Sequence, residues 1–277
     1  MKISLIINFD KNSANEIANK AIDILHKNNV EILCDSATKE KLCNNKVFAD
    51  EQHLKKCDFC VVIGGDGTII HTAKKAAIHS KAVLGINVGR IGYLAAIKST
   101  ELDYLNNILN GEYEIEERIM LHVKKLSDNN EENYTAFNDA VITKGTLSRM
   151  LDMKLLVDGH EIKYRSDGLI ISTPTGSTAY ALSAGGPVID PRVNDILITP
   201  ICPYSFFTRP MIVPSFSDVS ITVDVLDNKE AYLTVDGEMA VKIEQNDKIV
   251  ISRSKTSVKL ISLKHRPGYY SLGTSIK

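Results

Sequence analysis

Between Phe59 and Thr68 an unbroken apolar run, Phe-Cys-Val-Val-Ile, passes directly into Gly64-Gly65-Asp66-Gly67-Thr68, and few folds accommodate that order. A short apolar run without polar alternation reads as a strand buried on both faces. The glycines read as a tight turn, and the stretch from Ile69 to Ile78 that follows reads as a helix. A strand, a glycine turn and a helix in sequence form half of a parallel βαβ unit. The flanking residues extend the pattern. Residues 2–9, 30–34 and 82–88 read as further strands, and 12–28 as an amphipathic helix. The first hundred residues are therefore expected to form a parallel sheet with helices on its faces.

Beyond about residue 112 the texture changes. Segments 119–126, 139–143, 153–157, 169–173, 219–225, 231–236 and 248–253 are rich in apolar and β-branched residues. The turn pairs Asp158-Gly159, Asp167-Gly168 and Asp236-Gly237 fall among them. Only the stretch near 176–184 reads as helical. The sequence predicts an α/β domain followed by a β-rich one, packed together with a cleft between them.

Charge excludes some partners. Across 277 residues, 33 Lys and Arg face 34 Asp and Glu, a net charge of −1. That balance gives no general attraction to nucleic acid or to an anionic membrane. An anionic ligand must instead be held by backbone N–H groups and single cationic side chains. No apolar stretch approaches the ~20 residues of a membrane span, and the protein is expected to be soluble and intracellular. Five cysteines give no disulfide framework. Cys57 and Cys60 form a C-x-x-C pair, but no second pair completes a zinc set, and Cys60 lies within the buried run.

Three glycine-rich segments can carry chemistry. In the first, Gly64, Gly65 and Gly67 let backbone N–H groups approach phosphate oxygens at a helix start. Asp66 stands among them, where a purely anion-binding loop avoids a carboxylate. It reads as a metal ligand, as a base for an attacking hydroxyl, or as an Asx-type turn residue. No Lys follows, so this is not a Walker loop. The second segment, Gly85 to Gly92, follows the neighbouring strand. Two such loops at adjacent strand ends line the crevice where open α/β sheets bind nucleotides. The third runs from Arg165 to Pro187 and contains Thr173-Pro-Thr-Gly-Ser-Thr178-Ala179-Tyr180. Its hydroxyls and Tyr180 suit a sugar or a flat ring, or else cap a helix and fill a core. Asn138-Asp139 interrupts an apolar strand, and Asp236-Gly237 ends another. Each reads as structural or functional. None of the seven histidines shows ligand spacing.

Taken together, these segments resemble the NAD kinase family in its bacterial form. Gly64 to Thr68 is similar to that family's G-G-D-G-T motif, and Gly85-Ile-Asn with Gly92-Tyr93-Leu94 to its second glycine loop. Asn138-Asp139 falls where the family has Asn and an acidic residue, usually Glu. Asp167-Gly168 through Tyr180, then Gly185-Gly186-Pro187, resembles its longest motif. Val235-Asp236-Gly237 and Tyr269-Tyr270-Ser271-Leu272 resemble later ones. G-G-D-G-T alone is shared with diacylglycerol kinases, but Thr173 to Tyr180 is not. A sensor that binds the dinucleotide without turnover is the non-enzyme alternative, and Asp66 argues against it.

The resemblance implies an α/β nucleotide-binding domain over 1–115, completed by a tail at 254–277, and a β-rich NAD-binding domain over 116–253. It implies transfer of a phosphoryl group from ATP to the 2′-hydroxyl of the adenosine ribose of NAD, giving NADP. ATP is the donor, with polyphosphate as the alternative, and Mg²⁺ arrives with the nucleotide rather than in a protein cage. Asp66 is then the catalytic base, and Gly64, Gly65, Gly67 and Thr68 face the donor phosphates. Asn138, Thr178, Ala179 and Ser183 hold the adenosine, with Tyr93 bordering it. Asp139 and Asp167 face the nicotinamide riboside, and Tyr180 lies between the two halves. Arg165 is placed to meet a phosphate, of its own subunit's ligand or of a neighbouring subunit's, and Asp236 belongs to the binding set. A cytoplasmic homodimer or homotetramer, with no nucleic-acid or membrane partner, completes the expectation.

Overall fold

The computed structural model describes residues 1–89, 92–128, 130–146, 149–225 and 229–263. The Tyr269–Leu272 motif lies outside them. The chain divides into two compact units. Unit 1 is Met1–Arg118 with the chain from Ser257 on, and unit 2 is Ile119–Thr256.

Unit 1 alternates strand and helix: β1 (Lys2–Ile7), α1 (Ala14–Lys27), β2 (Glu31–Cys34), α2 (Ser36–Leu42), β3 (Val47–Ala49), α3 (His53–Lys56), β4 (Phe59–Gly64), α4 (Asp66–Ile78), β5 (Ala82–Asn87), β6 (Ile97–Lys98) and α5 (Tyr104–Leu109). The strands pair in parallel in the order β5-β4-β1-β2-β3. Every residue of β4 and β5 is buried, which accounts for their unbroken apolar sequence. In α1 the buried residues Ala14, Ile17, Ala18, Ala21, Ile22 and Leu25 recur at helical spacing and join the core with Ile3, Leu5, Val61, Ile63 and Leu84. Cys57 and Cys60 are both buried, with their Sγ atoms 3.8 Å apart.

Two strands carry the chain across the unit boundaries: β7 (Tyr113–Ser127) and the last one, below. Unit 2 continues with β8 (Asn130–Ala136), β9 (Asp139–Lys144), β10 (Leu151–Val157), β11 (His160–Ser166) and β12 (Gly168–Ser172). A 3₁₀ turn at Thr175–Thr178 and the single helical turn α6 (Tyr180–Ser183) follow. Then come β13 (Asp195–Ile201), β14 (Met211–Pro214), β15 (Val219–Asp224), β16 (Ala231–Val235), β17 (Glu238–Ile243) and β18 (Lys248–Leu263). One antiparallel sheet runs β14-β13-β12-β9-β16-β17. Strands β11, β10, β15 and the first half of β18 pair antiparallel beside one another. Ala140, Ile142, Leu169 and Ile171 from the first set share a buried cluster with Leu151, Met153, Leu155 and Ile221 from the second. Within β18, Ile249 and Ile251 pair with β15 in unit 2, while Lys259 and Leu260 pair with β5 in unit 1.

Two of the three Asp-Gly pairs form tight hairpins, whereas Asp167-Gly168 does not. Asp167 is a bend between β11 and β12, and Gly168 already belongs to β12. Those two strands are not partners: β11 pairs with β10, and β12 with β13 and β9. Asp158 and Gly159 have φ of 50° and 82°, and Asp236 and Gly237 have φ of 52° and 69°. Left-handed backbone at both central residues is the type I′ turn that matches the twist of paired strands. The expected helix over 176–184 is instead broken at Ala179, where φ is −96° and ψ −127°. No helix among the described residues is long and apolar enough to cross a membrane.

Candidate active site

In unit 1 the two glycine segments meet at one carboxylate. Strands β4 and β5 are hydrogen-bonded neighbours, with Gly64 beside Asn87 at their shared C-terminal end. Gly65 caps α4 in an extended conformation and places Asp66 in its first turn, where the helix dipole favours negative charge. Asp66 then reaches to the second segment. Its Oδ2 accepts the Tyr93 N–H at 2.8 Å and its Oδ1 the Leu94 N–H at 3.3 Å. Gly92 makes room for it, since a Cβ there would lie 2.1 Å from Asp66 Oδ1. Gly85 does the same for the strand below: its Cβ would meet the Ala95 Cα at 3.0 Å and the Ile69 Cδ1 at 2.6 Å. Arg90 and Ile91, within this second segment, lie outside the described residues. Thr68 is fixed by Asn8, whose amide donates to the Thr68 Oγ1 at 3.0 Å. Gly65 and Gly67 face open space, with no atom within 4 Å of where a Cβ would stand. The head of α4 thus offers N–H groups that lack helical partners, beside an oriented carboxylate.

In unit 2 a second constellation forms on the β12-β9-β16 face. Alternation along β9 turns Ala140 and Ile142 to the main core. Asp139 and Val141 therefore face the other way, where Val141, Ile170 and Leu197 pack on Ala181 and Ile189. The segment 173–183 lies over this face. Its first half is buried and tied down. The Ser177 hydroxyl donates to the Pro174 carbonyl at 2.7 Å and accepts from the Ile189 N–H at 3.0 Å. Thr178 and Ala179 are half-buried, while Tyr180 and Ser183 are exposed. Within this segment the residues expected to touch ligand are accessible and Ser177 is held by structural bonds, whereas Asp139, expected to face ligand too, is buried. Asn138 is half-buried beside them.

Asp139 is only 5% exposed. Burial first, and the nearby Asp236 carboxylate second, push its carboxyl up to about 7. The sign of the consequence is the reverse of the usual carboxylate case. Below pH ~4 both folded and unfolded chains hold the proton and the group is silent. From there to about 7 only the unfolded chain ionises, so stability falls as pH rises, and above that the loss is complete. Asp139→Asn is therefore expected to raise Tm relative to the parent more at pH 8 than at pH 5, by about 2 kcal/mol of stability. Thermal melts at the two pH values check this, and an equal offset at both would count against it.

Asp167 forms an ion pair with Lys144 at 2.8 Å. Arg165 keeps different company. Its guanidinium lies 5.5 Å from the Tyr204 ring centroid and its Nε 3.9 Å from Asp152. Both residues line a groove of about 770 Å³ with Lys154, Lys163 and Thr222. Among the described residues these contacts do not reach Asn138, Asp139 or the 173–183 segment. Two supporting residues carried no sequence signal as such, Asn8 under Thr68 and Lys144 beside Asp167, while Thr173, which opens the hydroxyl-rich part of the third glycine-rich segment, proves to be a support within it. The Thr173 hydroxyl donates to the Phe137 carbonyl at 2.7 Å and accepts the Gly176 N–H at 3.0 Å.

An oriented carboxylate at a glycine-rich helix start, in a chain whose second unit presents a hydroxyl-lined turn, is the equipment of a phosphotransferase acting on an alcohol. Comparison with known proteins gives the family. The model of the ATP-NAD kinase N-terminal domain matches residues 3–113, and that of the ATP-NAD kinase C-terminal domain matches residues 137–263. The NAD kinase of Moorella thermoacetica is 38% identical over 274 residues, 98% of this chain and 87% of that protein. That of Clostridium beijerinckii is 37% identical over 94% of this chain and 89% of its own length. The chain belongs to the NAD kinase family. Among solved structures, yeast NADH kinase complexed with NADH superposes with a TM-score of 0.88 at 23% identity, covering all of this chain and 89% of that one. An NAD kinase from Archaeoglobus fulgidus in complex with ATP gives 0.75 at 24%, covering 99% and 98%. At such identities the likeness is one of fold.

Proposed function

We propose that the chain phosphorylates NAD with ATP, with Asp66 as the base. The ribose 2′-oxygen attacks the γ-phosphorus, the bond from that phosphorus to the β–γ bridging oxygen breaks, and ADP leaves. The hydroxyl proton passes to Asp66. The observation that carries this reading is the Asp66 carboxylate, fixed by the Tyr93 and Leu94 N–H groups at the open, glycine-flanked start of α4. An ionised carboxylate has about four acceptor positions, so two backbone bonds leave room for a substrate hydroxyl. The relatives' names support the acceptor, and the archaeal and yeast structures were obtained with ATP and with NADH.

In this reading Gly64, Gly65, Gly67 and Thr68 face the donor phosphates. Asn138, Thr178, Ala179 and Ser183 hold the adenosine, and Tyr93 borders it. Asp139 and Asp167 serve the nicotinamide riboside, with Tyr180 between the halves. A divalent cation, taken as Mg²⁺, neutralises the donor oxygens when bound. Among the described residues no three His, Cys, Asp or Glu side chains gather as a cage. Asp66 is the carboxylate that would lie near a cation arriving with the nucleotide. A cytoplasmic homodimer or homotetramer is part of the same proposal, with Arg165 serving a neighbouring subunit's ligand. The exposed Tyr204, Phe206, Phe207 and Phe216, 75–92% accessible, support association.

The test is direct. Purified protein with ATP, NAD and Mg²⁺ is expected to form NADP, read by an NADP-specific dehydrogenase, with polyphosphate as a second donor arm. Excess EDTA is expected to abolish the signal. No NADP formation would sink the activity, and full activity in EDTA would remove the metal from the scheme.

A further inference from the structure

Asp236 does something that its place in a hairpin turn does not require. A type I′ turn needs only a residue tolerant of left-handed backbone, and Asn would serve. Here the side chain reaches back to a segment about a hundred residues earlier. Its Oδ1 accepts N–H groups from Asn138 at 2.7 Å, Phe137 at 3.1 Å and Asp139 at 3.2 Å, and its Oδ2 accepts the Phe137 N–H at 2.9 Å. The Asp236 N–H in turn donates to the Asp139 carbonyl at 2.9 Å. Three consecutive N–H groups converging on one carboxylate make an anion-binding concavity filled from within the protein.

The clamped step supports the turn beyond it. The Asn138 carbonyl accepts the Thr173 N–H at 2.8 Å, and the Phe137 carbonyl accepts the Thr173 hydroxyl at 2.7 Å. Thr173 then holds the Gly176 N–H at 3.0 Å. Gly176 packs so closely on Asn138 that a Cβ would lie 2.1 Å from its carbonyl oxygen. Asp236, Phe137–Asp139 and Thr173–Thr178 are therefore one mechanical unit.

We propose that Asp236 is a positioning residue for the dinucleotide: its carboxylate fixes the Phe137–Asp139 step, and through it the Thr173–Thr178 turn, so that Asn138 and Thr178 are presented together. The proposal rests on the reading above that Asn138 and Thr178 hold the adenosine. A carboxylate suits the task because charge-assisted bonds to backbone N–H groups are shorter and stronger than neutral ones.

The experiment is steady-state kinetics and thermal melting on Asp236→Asn, Thr173→Val and Asn138→Ala. Asp236→Asn turns an amide NH₂ toward donors and loosens the step. It is expected to raise KM for NAD roughly 10–100-fold, with KM for ATP within about twofold and kcat lowered by less than about fivefold. Thr173→Val keeps the shape, removes the two hydroxyl bonds, and is expected to show the same selective rise at smaller size. That variant decides the matter if Asp236→Asn does not fold. A collapsed kcat with an unchanged KM for NAD would mean that Asp236 acts at the reacting atoms, and overturns the proposal. So would KM values for both substrates rising together with a lowered Tm, the signature of a merely structural role. Asn138→Ala separates the two levels. An unchanged KM for NAD in that variant sinks the binding assignment itself. A raised KM there with both other variants unaffected sinks only the positioning role.

Discussion

Asp66→Asn is expected to leave a folded protein with kcat reduced about 10²–10⁴-fold. A ribose hydroxyl is a poor nucleophile at neutral pH, and a positioned carboxylate both orients it and accepts its proton as the new P–O bond forms. Asn keeps the size and one acceptor oxygen but cannot take the proton. In a loose transition state the proton leaves late, which favours the lower end of that range. The structural cost is small. The amide oxygen can keep the Tyr93 N–H, the 2.8 Å bond, while its NH₂ turns to Leu94, where the bond is already long at 3.3 Å. Losing that bond and a charge beside the start of α4 costs about 1–2 kcal/mol. Removing a negative charge next to the donor phosphates leaves KM for ATP unchanged or lower. The discriminating result is thus a collapsed kcat with KM values for both substrates held or reduced, in a protein that stays folded with a Tm only a few degrees below its parent's. A folded variant that keeps more than about a tenth of the parent kcat would show that Asp66 is not the base. The glycine loop would then be a phosphate cradle only.

How much of this was legible beforehand depends on whether a feature is local. The β4 run and its glycine turn were, because a fully buried parallel strand has no polar alternation to confuse the reading. The two Asp-Gly hairpins were, because type I′ geometry selects few residue pairs. Short polar elements were not. Strand β8 reads Asn-Glu-Glu-Asn-Tyr-Thr-Ala and exists because it pairs with β7 along its length. Helix α2, Ser-Ala-Thr-Lys-Glu-Lys-Leu, buries only Thr38 and Leu42. The segment at 176–184 has helical composition, but Ser177 is bound to Ile189 and Gly176 is pressed on Asn138, so tertiary contacts break it. The site divides the same way. Its residue types were visible in the motifs. That Gly92 vacates space for Asp66, that Lys144 neutralises Asp167, and that Asp236 grips Phe137 from 99 positions away are facts of folding.

Gly176→Ala isolates that tertiary contribution. The backbone at Gly176 is within reach of any residue, so the requirement for glycine is space alone. A Cβ would stand 2.1, 2.6 and 2.8 Å from the oxygen, carbonyl carbon and Cα of Asn138. All three are backbone atoms, and no rotamer change relieves the overlap. Nor can Asn138 retreat freely. Its carbonyl accepts the Thr173 N–H at 2.8 Å, and its own N–H is held by Asp236 at 2.7 Å. Separating the two segments would break the Thr173 bonds, and leaving them in place would compress the contact. Overpacking of this kind costs about 3 kcal/mol or more where nothing yields, a Tm loss on the order of 10 °C. What remains folded is expected to bind NAD weakly, because Asn138 and Thr178 no longer share one geometry, while KM for ATP stays near the parent value. Gly67→Ala is the control. Its Cβ meets nothing within 4 Å, and the residue lies in the first turn of α4, so its Tm is expected to hold or rise slightly. A Gly176→Ala variant that melts within about 2 °C of its parent and keeps its KM for NAD would show that the Asn138 step yields easily, and that neither its clamp nor the turn above it is rigid.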